Sequence, residues 1–271
     1  MSSDFPKTKI GIIGGSGFYS LFDNAEEFEM DTPYGKPSDK ISIGEIAGRS
    51  VVFLPRHGKG HCLSPTSIPY RANLWALKQL GVERIIAPTA TGSLQPHIKP
   101  GDFVICDQFV DRTKHREDSF FHGPKVAHIS CADPFCEHLR EAAISSCRKL
   151  SITAHEKGTA VVIEGPRFSS RAESNMYQRY GFDVIGMTQY PESVLARELE
   201  MCYVNISLVT DYDAGLLGQE GDKNKAVDAT SVIEVFNKNI SHLKDLISEM
   251  IKNLPQERSC VCKDILKSAM M

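Results

Sequence analysis

The chain has 271 residues, with 31 basic and 34 acidic side chains and a formal net charge of −3. It therefore has neither the basic excess of a nucleic-acid binder nor an apolar run long enough for a membrane span. The polar opening, residues 1–6, has no apolar signal-peptide core, so the expectation is a cytoplasmic enzyme or binding protein.

The first strand is expected over 9–13, entering Gly14-Gly15-Ser16-Gly17. Such a turn is either an ordinary tight turn or a loop whose backbone N–H groups cradle an anion. It lacks the third glycine of a dinucleotide fingerprint and the Gly-Lys-Ser/Thr of a P-loop. A Pro- and Gly-rich loop follows over 31–39, then a hairpin of strands 41–46 and 50–54 around Ala47-Gly48. The second hairpin strand runs into Pro55-Arg56-His57-Gly58-Lys59-Gly60-His61. That cluster reads as an anion site, since Arg grips phosphate bidentately, or as a solvated basic turn. Apolar spacing predicts a helix over 69–80, with Trp75 in the core. A buried strand over 84–87 ends at Pro88-Thr89-Ala90-Thr91-Gly92-Ser93, where hydroxyls beside glycine suit phosphate, ribose or a plain turn. A strand over 102–110, a charged irregular loop over 111–124 and an amphipathic helix over 134–150 come next.

The stretch 158–192 carries the densest signals. Thr159 to Ile163 is β-branched and strand-length, and Gly165-Pro166 ends it. Ser170 and Glu173 have capping-box spacing, so a helix follows. A strand over 183–187 leads to Thr188, and Pro191 suits the first turn of a helix over 191–201. Two strand ends thus deliver polar groups beside helix starts, the usual ligand crevice of an open α/β sheet. A strand over 203–209 ends in Thr210-Asp211-Tyr212-Asp213, and a glycine-rich loop over 215–225 precedes a long amphipathic helix over 229–253. Alternating strands and helices predict one α/β domain over 1–271, with a mostly parallel mixed central sheet flanked by helices. Its core spans about 8–253, followed by a tail over 254–271.

Asp211 and Asp213 are the informative acids. Two carboxylates two residues apart at a strand end point the same way and raise each other's pKa, so one holds a proton. The other reading is a calcium-like or solvated acidic turn. Of the cysteines at 62, 106, 131, 136, 147, 202, 260 and 262, the first six read as small buried hydrophobes. Cys260-Val261-Cys262 stands apart in a polar tail. It reads as a disulfide, half a metal site or an unstructured reactive tail, and the expectation is a dispensable tail with reduced thiols.

Six motifs occur in one order: Gly14-Gly15-Ser16-Gly17, Arg56-His57-Gly58, Thr89-Ala90-Thr91-Gly92-Ser93-Leu94, Glu164-Gly165-Pro166-Arg167-Phe168-Ser169, Gly186-Met187-Thr188 and Thr210-Asp211-Tyr212-Asp213. In that order they resemble the trimeric purine nucleoside phosphorylases, most closely the members acting on 5'-methylthioadenosine. The resemblance implies phosphorolysis with inorganic phosphate as co-substrate, and neither a metal nor another cofactor. It implies that Ser16, Arg56, His57, Thr89, Ala90 and Thr188 hold phosphate below C1'. Met187 would lie under the ribose, Phe168 against the base with Ser169 beside it, and Asp211 and Asp213 would serve the departing purine. His128 would reach across a subunit interface toward the 5' substituent, in a homotrimer or a dimer of trimers. Asp211 stands where the family's 6-oxopurine enzymes carry Asn, which favours adenine, because a carboxylate suits a 6-amino group. Gly186 in place of an Asn and the long 214–225 loop depart from the mammalian pattern and keep a methylthioinosine or general purine nucleoside open. A non-catalytic nucleoside binder and a hydrolase are the readings from other classes.

Overall fold

Period-two alternation sorts the central strands into two apolar faces. Four strands carry it: β1 (Ile10–Gly14), β4 (Arg49–Pro55), β5 (Arg84–Ser93) and β11 (Cys202–Asp211). Ile10, Ile12, Val51, Phe53, Ile86, Val204 and Ile206 point to one side. There they meet Leu139 and Ala143 of α2 (Glu137–Lys149) and Leu243, Leu246, Ile247 and Met250 of α5 (Ala229–Asn253). Ile13, Val52, Leu54, Ile85, Ala87 and Tyr203 point to the other side. They pack on Leu74, Ala76 and Leu77 of α1 (Tyr70–Gln79) and on Leu195 and Ala196 of α4 (Gln189–Glu198). Helices therefore cover both faces, as the alternation of elements predicts. The structure, a computed structural model, describes residues 7–15, 22, 25–216 and 227–271. Ser16 and the 217–225 part of the expected loop lie outside the described residues.

The hairpin forms as expected: β3 (Ile41–Ile46) pairs antiparallel with β4. Its turn residues Ala47 and Gly48 have φ of 51° and 74°, matching the twist of the flanking strands. The strand expected over 84–87 continues to Ser93, because β11 pairs with it in parallel along its length. The strand expected over 102–110 breaks into β6 (Phe103–Ile105), beside β11, and β7 (Gln108–Arg112), beside β9 (Thr159–Ile163). Two short strands, β2 (Glu26–Phe28) and β8 (Ala154–His155), lacked a sequence signal and extend the edges. Ser170 and Glu173 form the expected reciprocal cap of α3 (Arg171–Arg179). The tail is ordered rather than loose: Val261–Ser268 is a 3-10 helix, and Met270 bridges Ala127. Among the described residues no helix is long and apolar enough to cross a membrane.

The feature that positions the site is the divided edge of β5. One edge is held by β11, while the other is shared by two strands. β1 runs parallel to its first residues, from Ile10 beside Arg84 to Ile12 beside Ile86. It then follows β4, with Gly14 beside Pro55. β10 (Val184–Gly186) arrives antiparallel at the far end, with Val184 beside Ser93 and Ile185 beside Gly92. Between these pairings, residues 87–91 have no strand partner on that edge among the described residues. The ends of β1, β4 and β10 converge on this gap, the kind of switch point where open α/β sheets bind ligands.

Candidate active site

The face of the sheet toward α4 turns from apolar to polar at the gap. The same alternation that presents Ile85 and Ala87 now presents Thr89, Thr91 and Ser93 on β5, with Asn205 and Ser207 on β11, all buried. Buried hydroxyls and amides are costly unless hydrogen-bonded, and these form a connected set. Asn205 Nδ2 donates to Thr89 Oγ1 at 3.0 Å and to Ala87 O at 3.1 Å. Ser207 Oγ donates to Asn205 Oδ1 at 2.7 Å, and Gln189 Nε2 of α4 donates to Ser207 Oγ at 3.1 Å. Because Asn205 fills an acceptor position of Thr89, the Thr89 hydroxyl keeps its proton for a partner in the gap. Ala90 is the single exposed residue of β5, within the part of the strand that faces the gap edge. Thr188, buried at the N-cap of α4, makes no side-chain capping bond.

Arg56 enters from the end of β4 with 2% of its side chain exposed. Its Nε and Nη2 donate to Glu192 Oε1 and Oε2 at 2.5 and 3.0 Å. Nη1 donates to Pro88 O at 3.1 Å and Nη2 to Ile13 O at 2.9 Å. Tyr203 Oη also donates to Glu192 Oε2, at 2.9 Å. The sequence expectation was a bidentate grip on an anion, but the bidentate partner in the chain is Glu192. Of the five guanidinium N–H groups, one on Nη1 is left for a ligand. Beside it, His57 Nδ1 faces Leu63 O at 2.9 Å, and its ring stacks on His61 with centroids 4.0 Å apart. Burial first, then the Arg56 charge, pushes the His57 pKa down to about 4. At neutral pH the ring is uncharged with its proton on Nδ1, so Nε2 is a hydrogen-bond acceptor.

Asp211 ends β11, and the paired position on β5 is Gly92. A Cβ at Gly92 would stand 2.8 Å from Asp211 Oδ1, so only glycine leaves room for the carboxylate. Asp213 does not extend the strand beside Asp211 as the spacing suggests. It lies in a turn with φ of 50°, and its N–H donates to Asp211 Oδ1 at 2.7 Å. Thr210 Oγ1 donates to Asp211 Oδ2 at 2.7 Å. The pKa of Asp211 is raised, with burial as the main cause and the Asp213 charge a lesser one. Burial also raises Asp213, against the opposing effect of the Ser174 and Ser169 hydroxyls and the Ala214 N–H. Both acids therefore hold protons more readily than free aspartate, chiefly through burial, with the repulsion expected from the sequence a lesser cause at Asp211.

The ribose and base candidates are gathered by β9, β10 and α3. Gly165 has φ of +67°, and a Cβ there would meet Met187 Sδ at 2.7 Å. Met187 therefore lies over the turn that carries Phe168 and Ser169. Phe168 is 39% exposed at the rim, whereas Ser169 Oγ is buried. Gly186 lies against Thr91, its hypothetical Cβ 3.4 Å from Thr91 Cγ2. His128 is exposed, and its N–H donates to Ala269 O at 2.8 Å. It lies on the surface segment that pairs with the tail. The structure thus places Arg56, His57, Thr89, Ala90, Thr188 and Asp211 on or just beyond the strands that border the gap, with Asp213 beside Asp211 and Met187 against the Gly165 turn that leads to Phe168 and Ser169. Ser16 is beyond the described residues.

Glu192, Gln189, Asn205 and Arg116 join the site without having been singled out by any motif. Asn205 and Ser207 had a signal, being polar in an otherwise apolar strand. Arg116 had none, since its loop read only as charged. Its Nη1 donates to Met187 O at 2.6 Å, to Tyr190 O at 2.5 Å and to Tyr70 Oη at 3.0 Å. Nη2 donates to Glu164 O at 2.8 Å. One guanidinium thereby ties the ends of β9 and β10 to the start of α4.

The family model described as the phosphorylase superfamily matches residues 9–252. The S-methyl-5'-thioadenosine phosphorylase of Pyrococcus furiosus is 54% identical over 260 residues, covering 96% of this chain and 98% of that protein. A methylthioadenosine phosphorylase from an antarctic soil metagenomic library is 41% identical. It superposes with a TM-score of 0.90 over 98% of this chain and 93% of that one. Methylthioadenosine phosphorylase from Schistosoma mansoni, solved in complex with adenine, is 40% identical. Its TM-score is 0.85, covering 90% of this chain and 91% of that one.

Proposed function

The chain belongs to the phosphorylase superfamily, and from that premise we propose the following function. It is a pentosyltransferase that cleaves 5'-deoxy-5'-methylthioadenosine with inorganic phosphate, giving adenine and 5-methylthioribose 1-phosphate. The observation that carries this reading is the raised Asp211 carboxyl set beside Gly92, across β5 from an anion-suited crevice.

In this reading phosphate sits in the gap of β5. It accepts from the Thr89 hydroxyl, the Ala90 backbone, Thr188, Ser16 and the remaining Arg56 N–H. His57 Nε2, an acceptor, meets the proton of a monohydrogen phosphate. The C1'–N9 bond breaks with its electron pair leaving on the purine, and a phosphate oxygen forms the new bond to C1'. Holding phosphate in line turns the encounter into an intramolecular step and keeps water from competing. Adenine leaves poorly as an anion, so protonated Asp211 donates to N7. The proton that phosphate loses on becoming an ester dianion balances the one the base gains. Met187 supports the ribose, while Phe168, Ser169 and Asp213 complete the base pocket.

The reaction as read uses no cofactor. The working unit is a homotrimer or a dimer of trimers in the cytoplasm, with His128 closing the 5' pocket of a neighbouring subunit. An apolar methylthio group favours such a dry wall. The deciding experiment is an adenine-release assay with and without phosphate. Turnover of methylthioadenosine that stops when phosphate is omitted supports the reading. Continued release would make the protein a hydrolase, and no release in either condition a binder.

A further inference from the structure

Four of the eight cysteines, read from the sequence as separate, meet in space. Cys136 is the N-cap of α2, Cys202 opens β11, and Cys260 and Cys262 belong to the tail. Their four Sγ atoms all lie within 4.8 Å of one another, and Cys202 and Cys260 are 3.2 Å apart. All four side chains are buried, the most open being Cys260 at 9% exposure. The tail pair on its own had only two donors, and the fold supplies the other two.

We propose that Cys136, Cys202, Cys260 and Cys262 form a structural tetrathiolate site for a zinc ion. Soft thiolates select zinc among the divalent cations of a cell, and a closed four-sulfur set is the arrangement of structural rather than catalytic zinc. Sulfurs about 2.3 Å from a tetrahedral zinc lie roughly 3.8 Å apart, a spacing inside the range of the present cluster. The surroundings suit the charge. A zinc tetrathiolate carries two negative charges, and two guanidiniums stand beside it. Arg258 Nη1 is 4.0 Å from Cys202 Sγ. Arg84 lines the same small cavity as Cys136, Cys202 and Cys260, and its buried Nη1 has no hydrogen-bond partner among the described residues. Glu83 neutralises part of this positive charge, lying 3.3 Å from Arg258 Nε and 3.9 Å from Arg84 Nη1. Cys136 also makes no side-chain cap bond at the start of α2, where a helix N-terminus favours a thiolate. The other arrangement open to four sulfurs this close is two disulfides, which would require an oxidant.

The test uses the full chain, expressed with zinc and purified with reductant. Metal content by atomic emission is read alongside the spectrum of the cobalt(II)-exchanged protein. About one zinc per chain is expected, with a thiolate-to-cobalt charge-transfer band and tetrahedral visible bands. The Cys260→Ser, Cys262→Ser double variant should lose both signals to background, while Cys62→Ser, at an exposed cysteine outside the cluster, keeps them. If the double variant does not fold, the parent's cobalt spectrum decides alone. Reduced protein that binds neither ion overturns the proposal. So does mass spectrometry that finds the four cysteines paired as disulfides in protein alkylated at lysis.

Discussion

Arg56 and Glu192 form a two-bond ion pair at 2.5 and 3.0 Å, with side chains only 2% and 1% exposed. The pair joins the end of β4 to the first turn of α4 across the open edge of β5, so it holds the two walls of the crevice together. Glu192→Gln leaves a buried guanidinium facing a neutral amide. The expected loss is about 3–5 kcal/mol of stability, typical when one member of a buried pair is removed. Because Arg56 would be free to move, KM for phosphate should rise more than KM for the nucleoside. Thermal unfolding and a two-substrate kinetic analysis check this. An unchanged phosphate KM would reduce the pair to a packing role.

His57 gives a pH signature with a definite sign. Its folded pKa is depressed to about 4 from an ordinary 6.5, so between those values the unfolded chain binds more protons than the folded one. Stability therefore rises with pH across that window and falls on acidification. His57→Gln removes this component, leaving the other histidines in common. The stability difference, parent minus variant, should shrink by at most about 3 kcal/mol between pH 7 and pH 4. Denaturant unfolding at several pH values measures it, and a pH-independent difference counts against a buried neutral imidazole.

The Asp211 prediction follows from its raised carboxyl. A general acid must start protonated, so the Asp211-dependent part of turnover should decline as pH rises through that raised value. Asp211→Asn keeps the shape but cannot deliver a proton. Methylthioadenosine turnover should fall by about 10²–10⁴-fold, the range of a lost acid–base group. Relative activity on inosine should rise, because an amide can donate to a 6-oxo purine. Comparing kcat/KM for both nucleosides in parent and variant decides it, and an unchanged ratio would remove Asp211 from base selection.

Much of this site was legible because strand ends carry compact signals. Arg56-His57-Gly58, Thr89 to Ser93 and Thr210 to Asp213 each follow an apolar run, and the sheet brings such ends together. The ion pair was not legible, since Glu192 lies 136 positions from Arg56 and the sequence of its helix signals only a helix start at Pro191. The same holds for Arg116, whose partners are three backbone carbonyls and the Tyr70 hydroxyl, all distant in sequence. Strand β5 runs past the expected 84–87 although Pro88 and the hydroxyls that follow look like a turn. Pairing with β11 overrides that local preference. The cysteine cluster illustrates the general limit: spacing within the tail shows two donors, and only the packing of α2 and β11 supplies the rest.

The tail carries more regular structure than its sequence signals. It reads as dispensable, yet its end forms a short antiparallel bridge with the segment carrying His128. Ala269 O accepts from His128 N–H at 2.8 Å, and Met271 N–H donates to Val126 O at 3.0 Å. Ala269 is buried, while His128 itself is exposed. Residues 122–130 otherwise form an open loop with little regular structure, so these bonds fix the strand-like path from which the imidazole projects. Deleting residues 269–271 removes both bonds without touching the crevice. If His128 closes the 5' pocket, the truncated protein should keep its fold and its phosphate KM. Its KM for methylthioadenosine should rise several-fold, by more than its KM for adenosine, whose polar 5' hydroxyl needs a dry wall less. His128→Ala should reproduce the effect, and combining the two changes should add little, as expected for residues acting through one contact. A truncation that leaves both nucleoside KM values unchanged would restore the tail to the passive role its sequence suggests.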